Sequence, residues 1–423
     1  MSHTTDVTRR EFAKSVAAWG ATVGLANLEV PDLLANAGND SGEAVPWAMI
    51  GTGSRGLELL RPLSKITTGS CVALCDNYPV NLKKGVETIG GSPATTDDYR
   101  RVLERKDVDA VLIATPLYLH CSMVLDALSA GKHVFIEKTM VFKEEEVKRM
   151  REAAAASPKL TLQVGLQRRY SLIYRAAIEM IRRGALGRVT HVRAHWNRNS
   201  DWRRPVADPK MERHINWRMY REYSGGLMAE LGSHQMDVAN WVFGAEPRSV
   251  AGFGGIDYWK DGRETYDNVQ CLFEYPGGQK VIYNSMLNNA HYEFYEEIMG
   301  DQGTMEITLQ GQSGKGTFWL EPKAKVSPAG IREQWWAGAT VINEARQKTG
   351  LPVLPEEIRP GQVFIEPKDP VGVQLEHFFL CVRNGSKPLA DVNIGLADAQ
   401  AVIYSNRAMD ENRRVFWPAY QQT

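Results

Sequence analysis

The chain reads as an α/β protein: a doubly wound, mostly parallel sheet in its N-terminal half, then an α+β domain built on a large, open, mostly antiparallel sheet. Two features of the sequence carry this. From Val45 to Val164 short apolar runs alternate with helical periodicity, the mark of βαβ units, whereas after Gly165 strand-like runs follow one another with few helices between them. A length of 423 residues exceeds what one hydrophobic core supports, so two domains are expected.

In the first half, strands are expected at Val45 to Ile50, Cys71 to Cys75, Val108 to Ala114, Val134 to Ile136 and Leu162 to Val164. Helices are expected from the turn Gly51 to Gly56 through Ile66, at Tyr99 to Arg105 and at Glu144 to Ala156. In the second half a helix from Ile173 to Arg183 stops at Gly184, and strands follow at Val189 to Trp196, Ser249 to Ile256, Asn268 to Tyr275, Lys280 to Met286, Glu293 to Met299 and Thr304 to Leu309. Glu376 to Val382 and Leu396 to Met409 are helical again and can pack on either domain. Residues 311–370, rich in Gly and Pro, read as a loop insertion around a short helix near Val341 to Thr349. The domain boundaries expected are 38–165 and 166–423.

Residues 1–37 read as an export signal. Thr8 to Lys14 spell T-R-R-E-F-A-K, a twin-arginine pattern; a weakly apolar stretch runs from Ser15 to Leu28, and Ala35-Asn36-Ala37 offers small residues for cleavage. The mature chain is then expected to be periplasmic. Fifty basic and fifty acidic side chains give a formal charge of zero, so no global field favours nucleic acid or an anionic membrane. No apolar run is long enough to span a bilayer. Of the five cysteines, Cys71 and Cys75 share one face of a strand and read as core. A small-molecule partner is the expectation that remains.

Gly51-Thr52-Gly53-Ser54-Arg55-Gly56 is G-x-G-x-x-G placed between a strand and a helix. The first Gly permits the tight turn, the second lets backbone approach a pyrophosphate, and the third lets helix and strand pack closely. Asp76 ends the second strand, where a carboxylate accepts from the adenosine ribose hydroxyls and repels a 2′-phosphate; NAD is therefore expected over NADP. Thr115-Pro116 and Glu137-Lys138 end the third and fourth strands at the same carboxyl edge. An ammonium there, near an oxidised nicotinamide, should have a lowered pKa and can polarise a substrate hydroxyl.

These residues, with Cys75-Asp76, A-T-P-L-Y-L-H from Ala114 to His120, A-G-K-H-V-F-I-E-K from Ala130 to Lys138, G-G-L-M-A-E-L-G-S-H-Q-M-D from Gly225 to Asp237 and H-F-F-L-C-V-R-N-G-S-K-P-L-A-D from His377 to Asp391, resemble the glucose-fructose oxidoreductase and inositol dehydrogenase (Gfo/Idh/MocA) family. The resemblance covers nearly the whole mature chain. It implies an N-terminal Rossmann domain, a C-terminal domain whose open sheet makes homo-oligomer contacts, and sugar or polyol substrates. The cofactor contacts expected on this basis are Gly51, Gly53, Ser54, Arg55, Gly56, Asp76, Thr115, Pro116, His120, Glu137, Lys138 and Gln167.

Two positions depart from the family pattern. Thr139 stands where Pro usually follows the Lys, leaving Lys138 on a looser backbone, and Glu230 stands where an Asp usually precedes the His by four. Glu230 and His234, at i and i+4 of a helix, should face the same side. His234 is the expected general base, its imidazole near neutral pKa; Glu230 either orients that ring or itself reaches the substrate. Trp196, Asn197, Trp217, Arg218 and Tyr223 crowd the segment before this motif and supply the aromatic faces and polar edges that suit sugar rings. No metal is expected: His191 and His195 lie in a strand, and neither H-E-x-x-H nor C-x-x-C occurs.

Three functions compete. The first is net oxidoreduction of a secondary hydroxyl of a sugar, glycoside or polyol. The second is NAD-dependent, redox-neutral glycoside hydrolysis, which export favours because free NAD is scarce outside the cytoplasm; the T-H-G-x-G-P-like stretch of such glycosidases is replaced here by G-S-H-Q-M-D. The third is a binding protein that keeps NAD only as structure, against which Lys138 and His234 argue.

Overall fold

The structure, a computed structural model, describes residues 33–34, 42–310, 313–321, 362–366 and 369–420. The export pattern and the helix expected near Val341 lie outside the described residues.

The N-terminal part builds β1 (Val45–Ile50), α1 (Ser54–Leu63), β2 (Gly69–Cys75), α2 (Pro79–Ile89), β3 (Ala94–Thr96), α3 (Tyr99–Leu103), β4 (Ala110–Ile113), α4 (His120–Ser129), β5 (His133–Ile136), α5 (Glu144–Ala156) and β6 (Leu162–Val164). The six strands lie in the order β3-β2-β1-β4-β5-β6, and each pair is parallel. This is the doubly wound arrangement whose strand order reverses between β1 and β4, where such sheets bind ligands. The helix ends follow ordinary capping chemistry. Asp98 Oδ1 accepts from Arg100 N–H at 3.0 Å at the head of α3, and Glu146 Oε2 reaches back to Lys143 N–H at 3.2 Å at the head of α5.

The later elements are α6 (Leu172–Arg182), β7 (Val189–Trp196), α7 (Ser233–Phe243), β8 (Ser249–Gly255), β9 (Asn268–Glu274), β10 (Lys280–Met286), β11 (Phe294–Gly300), β12 (Gly303–Gln310), β13 (Ser313–Leu320), β14 (Gln362–Ile365), α8 (Pro370–Asn384), α9 (Val392–Asp410) and β15 (Val415–Phe416). Among the described residues nine strands form a second sheet, ordered β14-β13-β12-β11-β7-β10-β9-β8-β15, mostly antiparallel as expected. The reading of residues 311–370 as loops around a helix needs correction, because β13 and β14 fall within that range and pair with each other. Alternate Gly residues in S-G-K-G-T-F-W-L carry no side chains to show the period of a strand.

The described residues divide into a smaller unit, within 172–193 and 295–366, and a larger one, within 33–171, 194–294 and 369–420. The larger holds the whole parallel sheet with α7, α8 and α9. Strand alternation sends Val45, Trp47 and Met49 to one face of β1, where Leu59, Leu60, Phe378 and Phe379 join them, and Ala48 and Ile50 to the other, against residues of α4 and α5. Trp47 stacks on Phe379 at 6.3 Å, and Phe135 meets Phe378 edge-on at 5.9 Å. Each of these buried rings contributes about 1.5–3 kcal/mol. Helix α8 thus covers the N-terminal sheet.

Candidate active site

Of the loops that leave the carboxyl edge of the parallel sheet, all but the one after β3 carry expected site residues: Gly51 after β1, Asp76 after β2, Thr115 after β4, Lys138 after β5 and Gln167 after β6. The three glycines behave differently. Gly51 has φ +94°, and a Cβ there would meet the Ala114 carbonyl oxygen at 2.7 Å; at Gly56 a Cβ would meet the Gly51 carbonyl oxygen at 2.2 Å. The first makes the turn and the third brings the helix close. Around Gly53 nothing lies nearer than Asn81 Nδ2 at 3.7 Å, so its backbone lies open to an approaching phosphate, next to the free N–H groups that begin α1. Asp76 Oδ2 accepts from Thr52 N–H at 2.8 Å and Oδ1 from Tyr78 N–H at 2.8 Å. The carboxylate is thereby fixed beside the glycine turn. Gln167 Oε1 is buried without a hydrogen-bond partner. An open backbone cradle, a fixed acid and an unmatched amide oxygen at one edge fit a dinucleotide.

Arg55 Nε donates to Glu137 Oε1 at 2.8 Å, and Glu137 Oε2 accepts from Lys138 N–H at 3.2 Å. Of the remaining expected contacts, Ser54 opens α1, and Thr115 and Pro116 are half-buried at the end of β4. His120 differs: its buried ring has Nε2 2.9 Å from the Thr115 carbonyl and Nδ1 2.9 Å from the Thr139 carbonyl. Both nitrogens face protein carbonyls, and the neutral ring, with one N–H, donates to one of the two while lying between the loops. Burial lowers its pKa, against the pull of those carbonyls and of Glu137 and Glu230.

Lys138 Nζ donates to the Ala229 carbonyl at 2.9 Å and the Glu230 carbonyl at 2.8 Å. Both carbonyls belong to a π-helical turn, Met228–Gly232, that leads into α7. The looser backbone expected from Thr139 is not what the structure has. Thr139 is buried, its hydroxyl donates to the Ala229 carbonyl at 3.3 Å, and its own carbonyl lies 2.9 Å from His120 Nδ1. Proline at this position has no hydroxyl to make the first bond. Burial lowers the Lys138 pKa, while Glu230 and Glu137 oppose the shift.

Glu230 and His234 do not pair. The Glu230 carboxylate accepts from Arg218 Nε at 2.7 Å. Burial raises its pKa, but Arg218 and Lys138 outweigh that and leave it lowered. His234, 5% exposed, has its Nδ1 buried without a partner. The expectation of a near-neutral imidazole is also corrected, because burial and then the charges of Lys138, Arg168 and Arg55 push its pKa well below 6.5. Its ring lies 5.6 Å from that of Trp196.

The expected substrate residues are spread around this centre. Arg218 lies over the Trp217 ring at 4.3 Å. Tyr223 packs at 4.8 Å on Tyr118, whose contribution the sequence pattern did not single out. Asn197 is turned into the protein, donating to the Glu293 carbonyl at 2.6 Å from its N–H and to the His291 carbonyl at 3.2 Å from its side chain. Arg168 was missed too; it lies over the rings of Trp196 at 5.8 Å and Phe294 at 4.9 Å. Only the doubled basic run Arg168-Arg169 marked it. Among the described residues no group of three or more His, Cys, Asp or Glu is placed to hold a metal ion, and no helix is long and apolar enough to cross a membrane.

A parallel sheet of this order with a glycine turn and a fixed acid defines a dinucleotide-binding enzyme class. Residues 45–166 match the family described as oxidoreductase family, NAD-binding Rossmann fold, and residues 174–306 match the GFO/IDH/MocA C-terminal domain. The chain belongs to the Gfo/Idh/MocA family of oxidoreductases, and its cofactor is NAD. An inositol 2-dehydrogenase of Saccharopolyspora erythraea is 28% identical over 291 residues, 68% of this chain and 78% of its own length. A glycosyl hydrolase family 109 protein of Stenotrophomonas maltophilia is 33% identical over 165 residues, 36% of either chain. The crystal structure of an aldose-aldose oxidoreductase from Caulobacter crescentus, complexed with glycerol, superimposes with a TM-score of 0.67 at 24% identity, covering 88% of this chain and 100% of that one.

Proposed function

We propose that this chain is a dehydrogenase that oxidises or reduces a secondary hydroxyl of a sugar, glycoside or polyol, with Lys138 and His234 acting on the hydroxyl. The observation that carries the reading is the state of those two groups. Two of the three Lys138 ammonium protons go to the carbonyls of Ala229 and Glu230, leaving one for a substrate oxygen. His234, close enough for the Lys138 charge to act on it, keeps a neutral ring with an unmatched Nδ1.

Bound NAD supplies the hydride acceptor. The chain's part is to hold the hydroxyl oxygen at Lys138 Nζ, where an ammonium stabilises developing negative charge, and to take the hydroxyl proton on the His234 ring. The ring's low basicity in the free enzyme suits a proton accepted only as the alkoxide forms. Glu230 stays ionised and fixes Arg218, so it is a positioning residue. The sugar-acting relatives and the aromatic surround of Trp196, Trp217 and Tyr223 support the substrate class.

The test is a panel of free sugars, polyols and aryl glycosides, followed both for reduced nicotinamide and for released aglycone. Net reduction with free polyols or sugars supports the dehydrogenase. Aglycone release without net reduction supports redox-neutral hydrolysis instead, a second reading that the family 109 relative favours. We also hold to export by T-R-R-E-F-A-K and to a homo-oligomer formed through the second sheet. The neighbouring side chains Leu272 and Ile282, which face each other across β9 and β10, are exposed and apolar.

A further inference from the structure

Arg168 and Arg169 follow each other in the turn after β6, and their side chains part. Arg169 meets the buried carboxylate of Asp237 at 2.7 Å and lies over the Trp241 ring at 4.9 Å. Arg168, 8% exposed, lies over two aromatic rings, its guanidinium carbon 5.8 Å from the centre of Trp196 and 4.9 Å from that of Phe294. Those two rings meet edge-on at 5.1 Å, so the guanidinium is seated on an aromatic corner. The same indole lies 5.6 Å from the His234 imidazole. A buried positive charge is thereby fixed one ring away from the imidazole.

The other charged groups around His234 have tasks of their own. Lys138 donates to the carbonyls of Ala229 and Glu230 and keeps one proton for the substrate oxygen. Arg55 is neutralised by Glu137 at 2.8 Å and Glu58 at 3.0 Å. Four residues before His234, Glu230 is held by Arg218 at 2.7 Å, and three residues after it Asp237 is held by Arg169. Arg198 lies over the Trp196 ring at 5.2 Å as well, but Glu293 meets it at 2.9 Å. Burial first, and then Lys138, Arg168 and Arg55, hold the imidazole pKa down. Neither the cofactor contacts nor the hydroxyl chemistry employs Arg168.

We propose that Arg168 is a positioning residue of the reaction: seated on Trp196 and Phe294, its guanidinium keeps the His234 ring unprotonated in the free enzyme, so that the ring meets the substrate hydroxyl as a proton acceptor. The proposal rests on the dehydrogenase reading of Lys138 and His234. The same repulsion makes the imidazolium, once formed, a strong acid that passes its proton on, which restores the base for the next turnover.

The experiment compares the NAD-loaded full-length parent with Arg168→Gln, Arg168→Lys and Arg198→Gln. The dependence of kcat/KM on pH is measured with the sugar or polyol that the panel finds active, and the His234 ring is titrated by nitrogen-15 NMR, its signal assigned by loss in His234→Gln. Repulsion between unit charges about 10 Å apart at an effective dielectric constant of about 20 corresponds to about tenfold in an equilibrium constant. The proton concentration that halves kcat/KM should therefore fall about tenfold in Arg168→Gln, with the NMR midpoint moving alike. Arg168→Lys, which keeps the charge, should stay near the parent, and so should Arg198→Gln, which disturbs the same indole. Thermal unfolding checks that each variant folds. An acid limb and NMR midpoint in Arg168→Gln within about twofold of the parent overturn the proposal. A Lys variant that shifts as far as the Gln variant also overturns it, since packing then accounts for the effect. A loss carried by KM alone and equal at every pH does the same, and assigns Arg168 to substrate binding. Because the NMR titration needs no turnover, a shifted His234 midpoint with no nicotinamide reduction on any sugar or polyol supports the action of Arg168 on the ring and counts against the dehydrogenase reading alone.

Discussion

Replacing Lys138 by Met separates what the ammonium does for the fold from what it does for turnover. The substitution keeps an unbranched side chain and removes the charge. Two bonds are lost, at 2.9 Å to the Ala229 carbonyl and 2.8 Å to the Glu230 carbonyl. The first acceptor stays satisfied, because Ser233 Oγ at 2.9 Å and Thr139 Oγ1 at 3.3 Å still donate to it. A hydrogen bond from a charged donor contributes about 1.5–3 kcal/mol. Against this stands the desolvation of the ammonium that lowers its pKa, which offsets part of that loss in stability. The catalytic loss is larger, since removing one preorganised donor at a developing oxyanion costs about 10²–10³ in kcat. Turnover followed by nicotinamide absorbance, with NAD affinity and thermal unfolding measured alongside, reads all three quantities. Lys138→Met turning over within about threefold of the parent while folded and NAD-loaded would falsify the role of Lys138.

Asp76→Ala should weaken NAD and narrow the preference over NADP, as measured by direct binding of each; equal NAD affinity in the variant removes Asp76 from the site. Glu230→Gln keeps a hydrogen-bond acceptor for Arg218 but drops the charge. Turnover should fall less than in His234→Ala, whose expected loss is about 10²–10⁴, and an equal loss makes the carboxylate the base. Because the His234 pKa lies well below 6.5 in the folded protein, the unfolded chain binds more protons just below that pH. The stability due to the neutral ring is therefore complete above 6.5 and is lost as pH falls below it toward the folded pKa. Unfolding midpoints should decline more steeply with acid in the parent than in His234→Gln, and parallel curves refute the burial of a neutral ring. Arg9→Lys with Arg10→Lys should hold the protein in the cytoplasm on fractionation; unchanged localisation removes the export reading.

The glycine turn and Asp76 were legible because strand, turn and acid obey short-range rules that leave marks in sequence. Gly51 and Gly56 occupy positions where any Cβ strikes backbone. Helices α2 and α4 were not legible as elements. In α4 the buried residues His120, Cys121, Met123, Val124, Ala127 and Leu128 recur at helical spacing along one face, but the polar His120 within that face and the apolar Leu125 beside it blur the stripe. At the catalytic centre the residue types were legible and their partnerships were not. Spacing put Glu230 and His234 on one helical face, but the π turn and the capture of Glu230 by Arg218 depend on chain packed from elsewhere. The depressed basicity of His234 likewise comes from burial and from Arg55, Lys138 and Arg168, charges distant in sequence.

The cover that α8 gives to the parallel sheet bears on how the chain is made. Ribosomes deliver β1 to β6 long before Phe378 and Phe379 emerge, so the face that holds Trp47 and Phe135 waits exposed through most of synthesis. The dinucleotide-binding half cannot be completed as a separate early domain. A fragment ending at Gly165 should aggregate where a fusion restoring residues 369–420 does not, and a chimaera that exchanges nucleotide-binding halves between relatives must carry the late helix along with the early sheet.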